Sequence, residues 1–581
     1  MKDEIRKFFK GDAEDDEKTL TQYSHDASIF EVRPKLVLFP KDTEDVQNLV
    51  RWVKDNKKRY ENLSITPRCA GTDMSGGAVG ESIILDFTRY MNKLIGGPLP
   101  LQNKSNWEIA VQPGMFYRDF EKITLAKGLI LPCYTASKSL NAIGGMFGNN
   151  SAGERTLKYG QTENYVLASK MVFADGNEYT VKPLTRDELD KKIAQGDFEG
   201  DVYKNAFNLI KENKTEIRNA RPQVHKNAAG YYLWNVEGQR PKTLSGAEGY
   251  IFDLNKLLVG SQGTLGIATE ISLKLIPENK HSRLAVVFMN DIVSLGRVVD
   301  EILTLGPESL ETYDDKTMKL AVRFFPDFLK NKGLKGMARF LWSFLPEFKM
   351  LLRGGFPKLA ILAEFAGNEE RILAEKCRQL EKLMQKFKLK VHITTNEAEA
   401  GKYWDIRRES FALLRKHIKG KRTAPFIDDI IVRPEFLPKF LPELNALLNP
   451  YKDKLVYTLA GHAGDGNFHV IPLMDFRHSD TAKIILEVSE KVFDLVLRYH
   501  GSITAEHNDG LMRTPYLSKM YGEQMIEIFT QIKRTFDPQN IFNPGKKIAV
   551  EKPGGPPGER AGTKEYIATH LAIEHDAVHK S

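Results

Sequence analysis

The sequence predicts an α+β protein with more than one domain. Its 581 residues are too many for one ordinary hydrophobic core. Short apolar segments bounded by proline or glycine, typical of strands, alternate with segments whose apolar residues recur at helical spacing. The character of the chain changes near residue 280, where longer amphipathic helices and apolar strands begin. These observations favour two domains that each contain helices and sheet.

The composition excludes several classes of protein. Hydrophobic residues make up 41% and charged residues 28%, as in soluble globular domains. The formal charge of +8 is modest and permits an anionic substrate, but it is not concentrated in an arm of the kind that binds nucleic acid. The separated Cys69, Cys133 and Cys377 give no disulfide framework and no iron–sulfur motif. With neither a signal peptide nor a run of about 18 apolar residues, a cytoplasmic location is expected.

A loop of small residues occupies positions 68–78, between two short predicted strands. It follows a strand over Pro34–Pro40 and a helix that Thr43 is predicted to cap, and it leads into the strand Ile83–Asp86. Such a loop exposes backbone N–H groups that can bind a diphosphate. It matches neither a P-loop nor a Rossmann turn. An ordinary tight connection explains the loop equally well when it is taken alone.

Two further glycine-rich stretches follow, at Ile143–Gly153 and Gly260–Gly266, and Lys158-Tyr159-Gly160 lies between them. A nucleotide held at one helix terminus needs only one such stretch. Three stretches in one α+β region favour a large flat cofactor that lies against bare backbone.

Histidines cluster near the C-terminal end of the chain. His462 and His469 lie on a glycine-rich segment, and Glu506-His507 follows later. Imidazoles with a carboxylate suit Zn²⁺ or a similar divalent ion such as Mn²⁺ and leave positions open for substrate. A further histidine can move a proton. The alternative is an ordinary turn with solvated histidines, and the spacing His-x6-His alone favours it because no helical face enforces that spacing.

The second domain is predicted to contain helices over Ile292–Leu305 and Glu370–Phe387. Another helix should follow Trp404, and a strand over Phe426–Val432 carries two aspartates whose role the sequence does not reveal. Residues 324–356 are basic and aromatic. They could lie in a membrane interface, but an inserted subdomain that buries its aromatic rings is favoured.

The order of these motifs resembles the FAD-binding PCMH-type (vanillyl-alcohol oxidase) flavoprotein family, in the branch of D-lactate dehydrogenases, the glycolate oxidase flavin subunit and D-2-hydroxyglutarate dehydrogenase. The resemblance spans about residues 33–548 and is most specific at Gly144-Gly145 with Asn150–Gly153, Gly260–Gly266, Gly461–His469 and Asn543–Lys546. It implies a two-subdomain PCMH-type FAD-binding domain and an antiparallel α+β substrate (cap) domain.

The resemblance also implies domain boundaries. These are a polar lead-in at 1–32, the FAD-binding domain at 33–278, the substrate domain at 279–515, a segment that returns to the FAD domain at 516–550, and a tail at 551–581. In the tail, His575 and His579 lie four apart, where a solvated helix is favoured over a metal pair.

The resemblance implies non-covalent FAD, because no histidine occupies residues 66–80. The chain departs from the family pattern at Cys69, Ala70 and Asp73, where glycine is usual, and at Gln262, where an acid is common. The implied cofactor-binding residues are Arg68, Cys69, Ala70, Gly71, Thr72, Asp73, Ser75, Gly76, Ile143, Gly144, Gly145, Asn150, Gly153, Tyr159, Gly160, Gly263, Gly266, Ile267, Asn543 and Lys546.

The resemblance implies oxidation of a D-2-hydroxy acid to the 2-oxo acid by hydride transfer to flavin N5. His462, His469 and Glu506 would hold the metal, and His507 would be the base. Asn467 would contact the substrate, and Arg407, in a Trp-x-x-Arg context, would hold its carboxylate.

The expected electron acceptor is a quinone, an electron-transfer protein or a cytochrome, with peripheral contact at the inner face of a membrane through 324–356 as an option. The alternatives are an FAD-dependent oxidase of another small alcohol or hydroxy acid that uses O₂, a metal-dependent hydrolase if no flavin binds, and a non-catalytic flavin-binding or membrane-docking module.

Overall fold

The computed structural model describes residues 1–60, 62–101, 105–240, 249–323, 357–417, 420–551 and 560–573. Within these residues the predicted α+β class is confirmed, because helices pack against three main sheets. Two of the sheets belong to the first domain and one to the second.

The first domain contains the following elements. Its strands are β1 Asp12–Glu14, β2 Leu36–Phe39, β3 Ile65–Arg68, β4 Ile83–Asp86, β5 Leu94–Pro100, β6 Trp107–Val111, β7 Leu129–Ile130, β8 Val166–Val172, β9 Glu178–Val181, β10 Glu237–Arg240, β11 Gly249–Phe252 and β12 Ile267–Pro277. Its helices are α1 Lys2–Ile5, α2 Glu17–Tyr23, α3 Thr43–Asn56, α4 Tyr117–Leu125, α5 Ile143–Asn149, α6 Thr156–Tyr159, α7 Arg186–Ile193, α8 Phe198–Glu212, α9 Lys214–Ala220 and α10 Asn255–Leu258.

The second domain and the C-terminal segment contain the remaining described elements. The strands are β13 His281–Met289, β14 Ser309–Asp314, β15 Leu359–Gly367, β16 Lys390–Ile393, β17 Arg422–Thr423, β18 Ile430–Ile431, β19 Val456–His462, β20 Asn467–Met474, β21 Val550–Glu551 and β22 Arg560–Ala561. The helices are α11 Leu295–Leu303, α12 Asp315–Arg323, α13 Glu370–Gln385, α14 Glu397–His417, α15 Leu437–Leu448, α16 Thr481–Arg498, α17 Gly510–Arg513, α18 Leu517–Tyr521, α19 Glu523–Phe536 and α20 Lys564–Thr569.

The first sheet has the order β1-β2-β4-β3, with β2 and β3 parallel to β4. The residues expected to be a polar lead-in form β1, which pairs antiparallel with β2, so this segment is part of the sheet. Helix α3 begins at Thr43, and its N-cap is Asp42, whose side chain accepts from the backbone N–H of Asp45 at 3.0 Å. The predicted cap was therefore one residue late.

The second sheet is antiparallel, in the order β5-β6-β12-β8-β9, and β7 also pairs with β12. Strand β12 alternates buried and half-buried residues along most of its length, as expected for a strand with one face in the core. The loop that enters β12 carries the third glycine-rich stretch, so the sheet places that stretch beside β8.

The third sheet is antiparallel, in the order β16-β13-β15-β14-β19-β20-β17, and β18 also pairs with β20. Three predictions for this domain need correction. The helices at 292–305 and 370–387 are shorter, Trp404 lies inside α14 instead of before it, and the strand over Phe426–Val432 is reduced to β18. Tyr403, Trp404 and Ile406 are all buried, so the helix already has a buried face where it was expected only to begin.

The segment after residue 516 packs against the first domain. The backbone of Ile65 donates to Ile541, and the backbone of Asn543 donates back to Ile65, at 2.8 and 2.9 Å. The basic aromatic stretch 324–356 and both histidines of the tail, at 575 and 579, lie outside the described residues. Among the described helices, none combines the length and the apolar composition that a bilayer crossing needs.

Candidate active site

A cavity of about 840 Å³ lies where the two domains meet. The first domain lines one end with the 68–78 loop, with α5 and with the turn before β12. The second domain lines the other end with α14, the β19–β20 hairpin and the 506–507 turn. The glycine-rich stretches and the histidines, which are far apart in the sequence, therefore share one cavity.

The 68–78 loop is fixed by a carboxylate. Asp73 Oδ2 accepts from the backbone N–H of Ser75 at 3.0 Å and of Gly77 at 2.6 Å. Its Oδ1 accepts from the Asn149 side chain at 2.7 Å, which ties the loop to the end of α5. Asp73 at a position where the family usually has glycine thus stabilises the loop. Nearby Asp26 is half-buried, and desolvation together with the charge of Asp73 raises the pKa of its carboxyl to about 6.

Two glycines show why small residues are needed in this wall. A Cβ on Gly145 would meet no atom within 4 Å, so the backbone there faces open space. Gly263 has φ +66°, and a Cβ there would lie 2.2 Å from the Pro67 ring. Gln262, which replaces the usual acid, accepts from the backbone N–H of Gly510 at 2.8 Å.

The cofactor-binding residues predicted from the sequence fall into two groups. Those that line the cavity are Arg68, Cys69, Ala70, Gly71, Thr72, Asp73, Gly144, Gly145, Gly153, Gly263, Gly266 and Ile267. Those that lie behind its wall are Ser75, Gly76, Ile143, Asn150, Tyr159, Gly160, Asn543 and Lys546. Of the second group, Asn543 donates to the backbone of Gly77 and Gln262, and Lys546 donates to the carbonyl of Val79. Asn543 and Lys546 support the lining loops.

The β19–β20 hairpin explains the spacing of the first two histidines. His462 is paired with Asn467, and Ala460 is paired with His469. His462 and His469 are therefore diagonal neighbours on one face of the hairpin, and their ring centroids lie 5.3 Å apart. Six intervening residues are what a tight turn needs to bring two side chains together in this way. His507 approaches from its own turn, and its ring stacks on His469 at 5.2 Å.

Buried carboxylates hold the Nδ1 atom of each histidine. His462 Nδ1 donates to Glu311 Oε1 at 2.5 Å, and Asp428 accepts from His469 Nδ1 at 3.1 Å and faces His507 Nδ1 at 2.9 Å. Glu311 and Asp428 have no exposed surface. Carboxylates in these positions fix the tautomer and leave each Nε2 for a ligand. His462 Nε2 lies 2.9 Å from Glu506 Oε1.

The turn that carries Glu506 and His507 is organised by Asp429. Its Oδ2 accepts from Thr504 Oγ1 at 2.6 Å and from three successive backbone N–H groups, those of Ala505, Glu506 and His507, at 2.8 to 2.9 Å. Asp429 itself has φ +66°. This aspartate therefore fixes the path of the backbone through both functional residues.

Arg407 lines the cavity and forms an ion pair with Glu311. It therefore lies within the histidine cluster, as its predicted role requires. Asn467 lies behind the wall: it is fully buried, and its side chain donates to Asp429 Oδ1 and to the Ile430 carbonyl, both at 3.1 Å. The structure thus places Asn467 as a support for Asp429.

Two family models match the chain. Residues 34–182 match the FAD binding domain, and residues 278–547 match the C-terminal domain of FAD linked oxidases. The chain is therefore similar to FAD-linked oxidases over both of these regions. The first match supports FAD as the cofactor of the first domain.

Individual relatives also match most of the chain. A D-2-hydroxyglutarate dehydrogenase of Pseudomonas putida is 27% identical over 544 residues, which cover 93% of this chain and 50% of the relative. Glycolate oxidase subunit GlcD of Bacillus subtilis is 25% identical over 534 residues, 91% of this chain and 92% of that protein. The chain spans about half the length of four of the bacterial D-2-hydroxyglutarate dehydrogenases that it matches.

The fold matches as well. A crystal structure of p-cresol methylhydroxylase with substrate bound has a TM-score of 0.59 and 14% identity, and covers 92% of this chain and 93% of its own. This confirms the predicted PCMH-type architecture.

The cavity fits the FAD of this oxidase family. Its volume is within the range of cofactor sites, and bare backbone at Gly145 and Gly71 faces it. Cys69, which also lines it, is half-buried, and desolvation raises the pKa of its thiol, which disfavours a reactive thiolate there.

The histidine end fits a divalent ion by its donors and by its charge. Possible ligand atoms of His462, His469 and Glu506 lie within 4.8 Å of one another. A second possible set consists of Asp428, His469 and His507, so both sets include His469. In the second set Asp428 occupies Nδ1 of both histidines, so the first set has the freer donors. The buried carboxylates of the histidine end of the cavity are those of Glu311, Asp428, Asp429, Asp465 and Glu506. Near these five carboxylates lie the basic side chains of Lys226, Arg407 and Arg513, and His225 pairs with Asp465.

The carboxylates of this cluster outnumber its lysine and arginine side chains, which favours a bound cation. The neighbouring imidazoles respond to the same negative charges. Burial alone lowers the pKa of His462, but the carboxylates, Glu311 foremost, raise it to about 9. Burial also lowers the pKa of His507, but the charges of Asp429 and Asp428 outweigh that effect and raise the pKa to about 9.

Sequence reasoning missed the residues that support this site. Glu311, Asp428, Asp429 and Lys226 each contact a predicted functional residue, yet none lies in a motif with the residue that it contacts. For the adjacent Asp428 and Asp429, a buried pair of acids in an apolar segment was the available signal.

Proposed function

We propose that the protein oxidises a D-2-hydroxy acid to the 2-oxo acid, with FAD as its oxidant and a divalent ion in the site. The main support is that three histidines, each with Nδ1 on a buried carboxylate, share one cavity with the flavin-binding backbone. The names of the relatives, a D-2-hydroxyglutarate dehydrogenase and a glycolate oxidase subunit, support the substrate class.

The site residues have separate roles in this proposal. His462, His469 and Glu506 would hold the ion, and the cavity wall around Gly71, Gly145 and Gly263 would hold FAD. When bound, FAD supplies a hydride acceptor and the ion lowers the pKa of the substrate hydroxyl.

His507 takes the hydroxyl proton at Nε2, and Asp428 stabilises the resulting imidazolium through Nδ1. Arg407 binds the substrate carboxylate, which orients the Cα–H bond. Because Glu311 also holds Arg407, the arginine is fixed relative to His462 before substrate arrives.

The test is an anaerobic absorbance titration of the purified protein. D-lactate, glycolate and D-2-hydroxyglutarate are added in turn, with and without chelator, and the L-isomers serve as controls. We expect a yellow protein whose flavin band is bleached by at least one of these acids and whose bleaching slows with chelator. A colourless protein that binds no FAD would refute the proposal, and esterase or amidase activity in such a protein would favour a hydrolase.

The electron acceptor is proposed to be a quinone, an electron-transfer protein or a cytochrome. Reoxidation of the bleached flavin by a soluble quinone, by cytochrome c or by O₂ separates these acceptors from the oxidase alternative.

A further inference from the structure

Lys226 brings a buried positive charge to the histidine site from the other domain. Its side chain has no exposed surface, and its ammonium contacts Glu506 Oε1 and lies 3.5 Å from Asp465 Oδ2. It does not line the cavity, so it approaches Glu506 from behind. A buried lysine that is paired with two carboxylates is costly to place, so its position calls for an explanation.

The segment around Lys226 is held firmly in place. Asn227 N donates to the Gln161 side chain at 3.2 Å, and Ala228 N donates to the carbonyl of Thr504 at 3.1 Å. The second of these bonds links the segment directly to the turn that carries Glu506. On the solvent side, half-exposed His225 forms an ion pair with Asp465 in the hairpin turn. The ammonium is therefore fixed relative to Glu506.

Lys226 and His462 meet at the same oxygen. Glu506 Oε1 accepts from the ammonium, and it also lies 2.9 Å from His462 Nε2. A divalent ion bound between Glu506 and His462 would thus be a close neighbour of a fixed positive charge. Like charges a few ångströms apart in a buried site repel strongly. Lys226 must then weaken the binding of the ion while it holds the carboxylate in place.

We propose that Lys226 is a positioning residue that sets the affinity of the site for its divalent ion. It holds Oε1 toward His462 and keeps the ion only moderately bound, so that a substrate carboxylate and hydroxyl contribute to holding it. This inference rests on the metal site of the proposed function, and it assigns Lys226 a role in that site alone.

The test is calorimetric titration of the metal-depleted, FAD-loaded protein with Zn²⁺ and with Mn²⁺. Lys226→Met should bind the ion at least about tenfold more tightly than the wild type, because the repulsion is gone. Lys226→Arg keeps the charge and should stay within about threefold of the wild type. The matched control is Lys256→Met, which removes a buried lysine held by Glu163 and leaves the histidine site intact.

A general structural defect would weaken metal binding, so tighter binding in Lys226→Met separates the proposed role from a merely structural one. Unchanged or weaker binding overturns the proposal. If Lys226→Met is recovered without FAD, Lys226→Gln is titrated in its place under the same criterion. If Lys226→Met binds more tightly but no 2-hydroxy acid bleaches the wild-type flavin, the role of Lys226 stands and the proposed reaction fails. If neither protein binds an ion, both fail.

Discussion

Replacing Asp429 by asparagine should destabilise the turn that carries Glu506 and His507. The change preserves size and shape, and asparagine adopts a positive φ readily, so the backbone at φ +66° is not strained by it. What changes is the chemistry of one oxygen. Asp429 Oδ2 accepts four hydrogen bonds, and Oδ1 accepts one from Asn467.

The size of the effect follows from counting donors. With its carbonyl turned to the 504–507 turn, an asparagine oxygen satisfies about two of the four donors. Its amide then faces the amide of Asn467, and two donors cannot bond to each other. Two to three buried donors are left unpaired, at about 1–3 kcal/mol each, which predicts a loss of roughly 2–9 kcal/mol in the free energy of unfolding. A loss of that size is a large share of the roughly 5–15 kcal/mol that stabilises a typical domain.

Two measurements check this prediction. Urea unfolding gives the overall loss, and hydrogen exchange by mass spectrometry shows whether the backbone amides of 505–507 exchange faster. Asp494→Asn is the control, because that aspartate forms an exposed ion pair with Lys519 and should change stability by less than about 1 kcal/mol. An Asp429→Asn protein with an unchanged unfolding midpoint and protected 505–507 amides would show that the turn does not depend on this carboxylate.

Three other changes separate catalysis, metal binding and pH dependence. His507→Gln should keep the FAD spectrum but slow flavin bleaching by about 10²–10⁴-fold; wild-type bleaching would exclude it as the base. Glu311→Gln should weaken divalent-ion binding by about 10–100-fold in calorimetry, because His462 loses its charged partner; unchanged binding contradicts this. Burial and the charge of Glu154 raise the pKa of Glu364 to about 7. The protonated form of Glu364 therefore stabilises the fold fully below pH 4.5, and that contribution is lost as the pH rises through 7. In urea unfolding, Glu364→Gln should be up to about 3 kcal/mol more stable than the wild type at pH 8, and no more stable than the wild type at pH 4.5.

The glycine-rich half of the site could be predicted because its constraint is local. A loop of small residues between strands predicts exposed backbone N–H groups wherever it occurs. In the structure, Gly71, Gly145 and Gly263 all face or shape the cavity. The same reasoning cannot tell a residue that lines the cavity from one that supports it. Asn543 belongs to a specific motif, yet it lies behind the wall and holds the loop.

The histidine half could be predicted only in part. The spacing of His462 and His469 has no meaning on a helix, and it acquires one when a hairpin places Ala460 opposite His469. Glu311 lies 151 residues from His462 and joins it only because β14 pairs with β19. A glutamate in the short strand Ser309–Asp314 gives no sign of such a partner. Acidic residues that support a site from other strands therefore require the sheet order, which the sequence pattern does not supply.

The 504–507 turn explains how two domains can share one chemical site. On one side Asp429, from the substrate domain, binds its backbone N–H groups. On the other side, the FAD domain holds it through Gln161, which donates to the carbonyl of Ala505 at 3.2 Å, and through Ala228, which donates to Thr504. The position of His507 relative to the glycine-rich wall of the cavity is thus fixed by hydrogen bonds from both domains within a few residues. Loss of an anchor on either side should therefore slow proton transfer more than it weakens FAD binding.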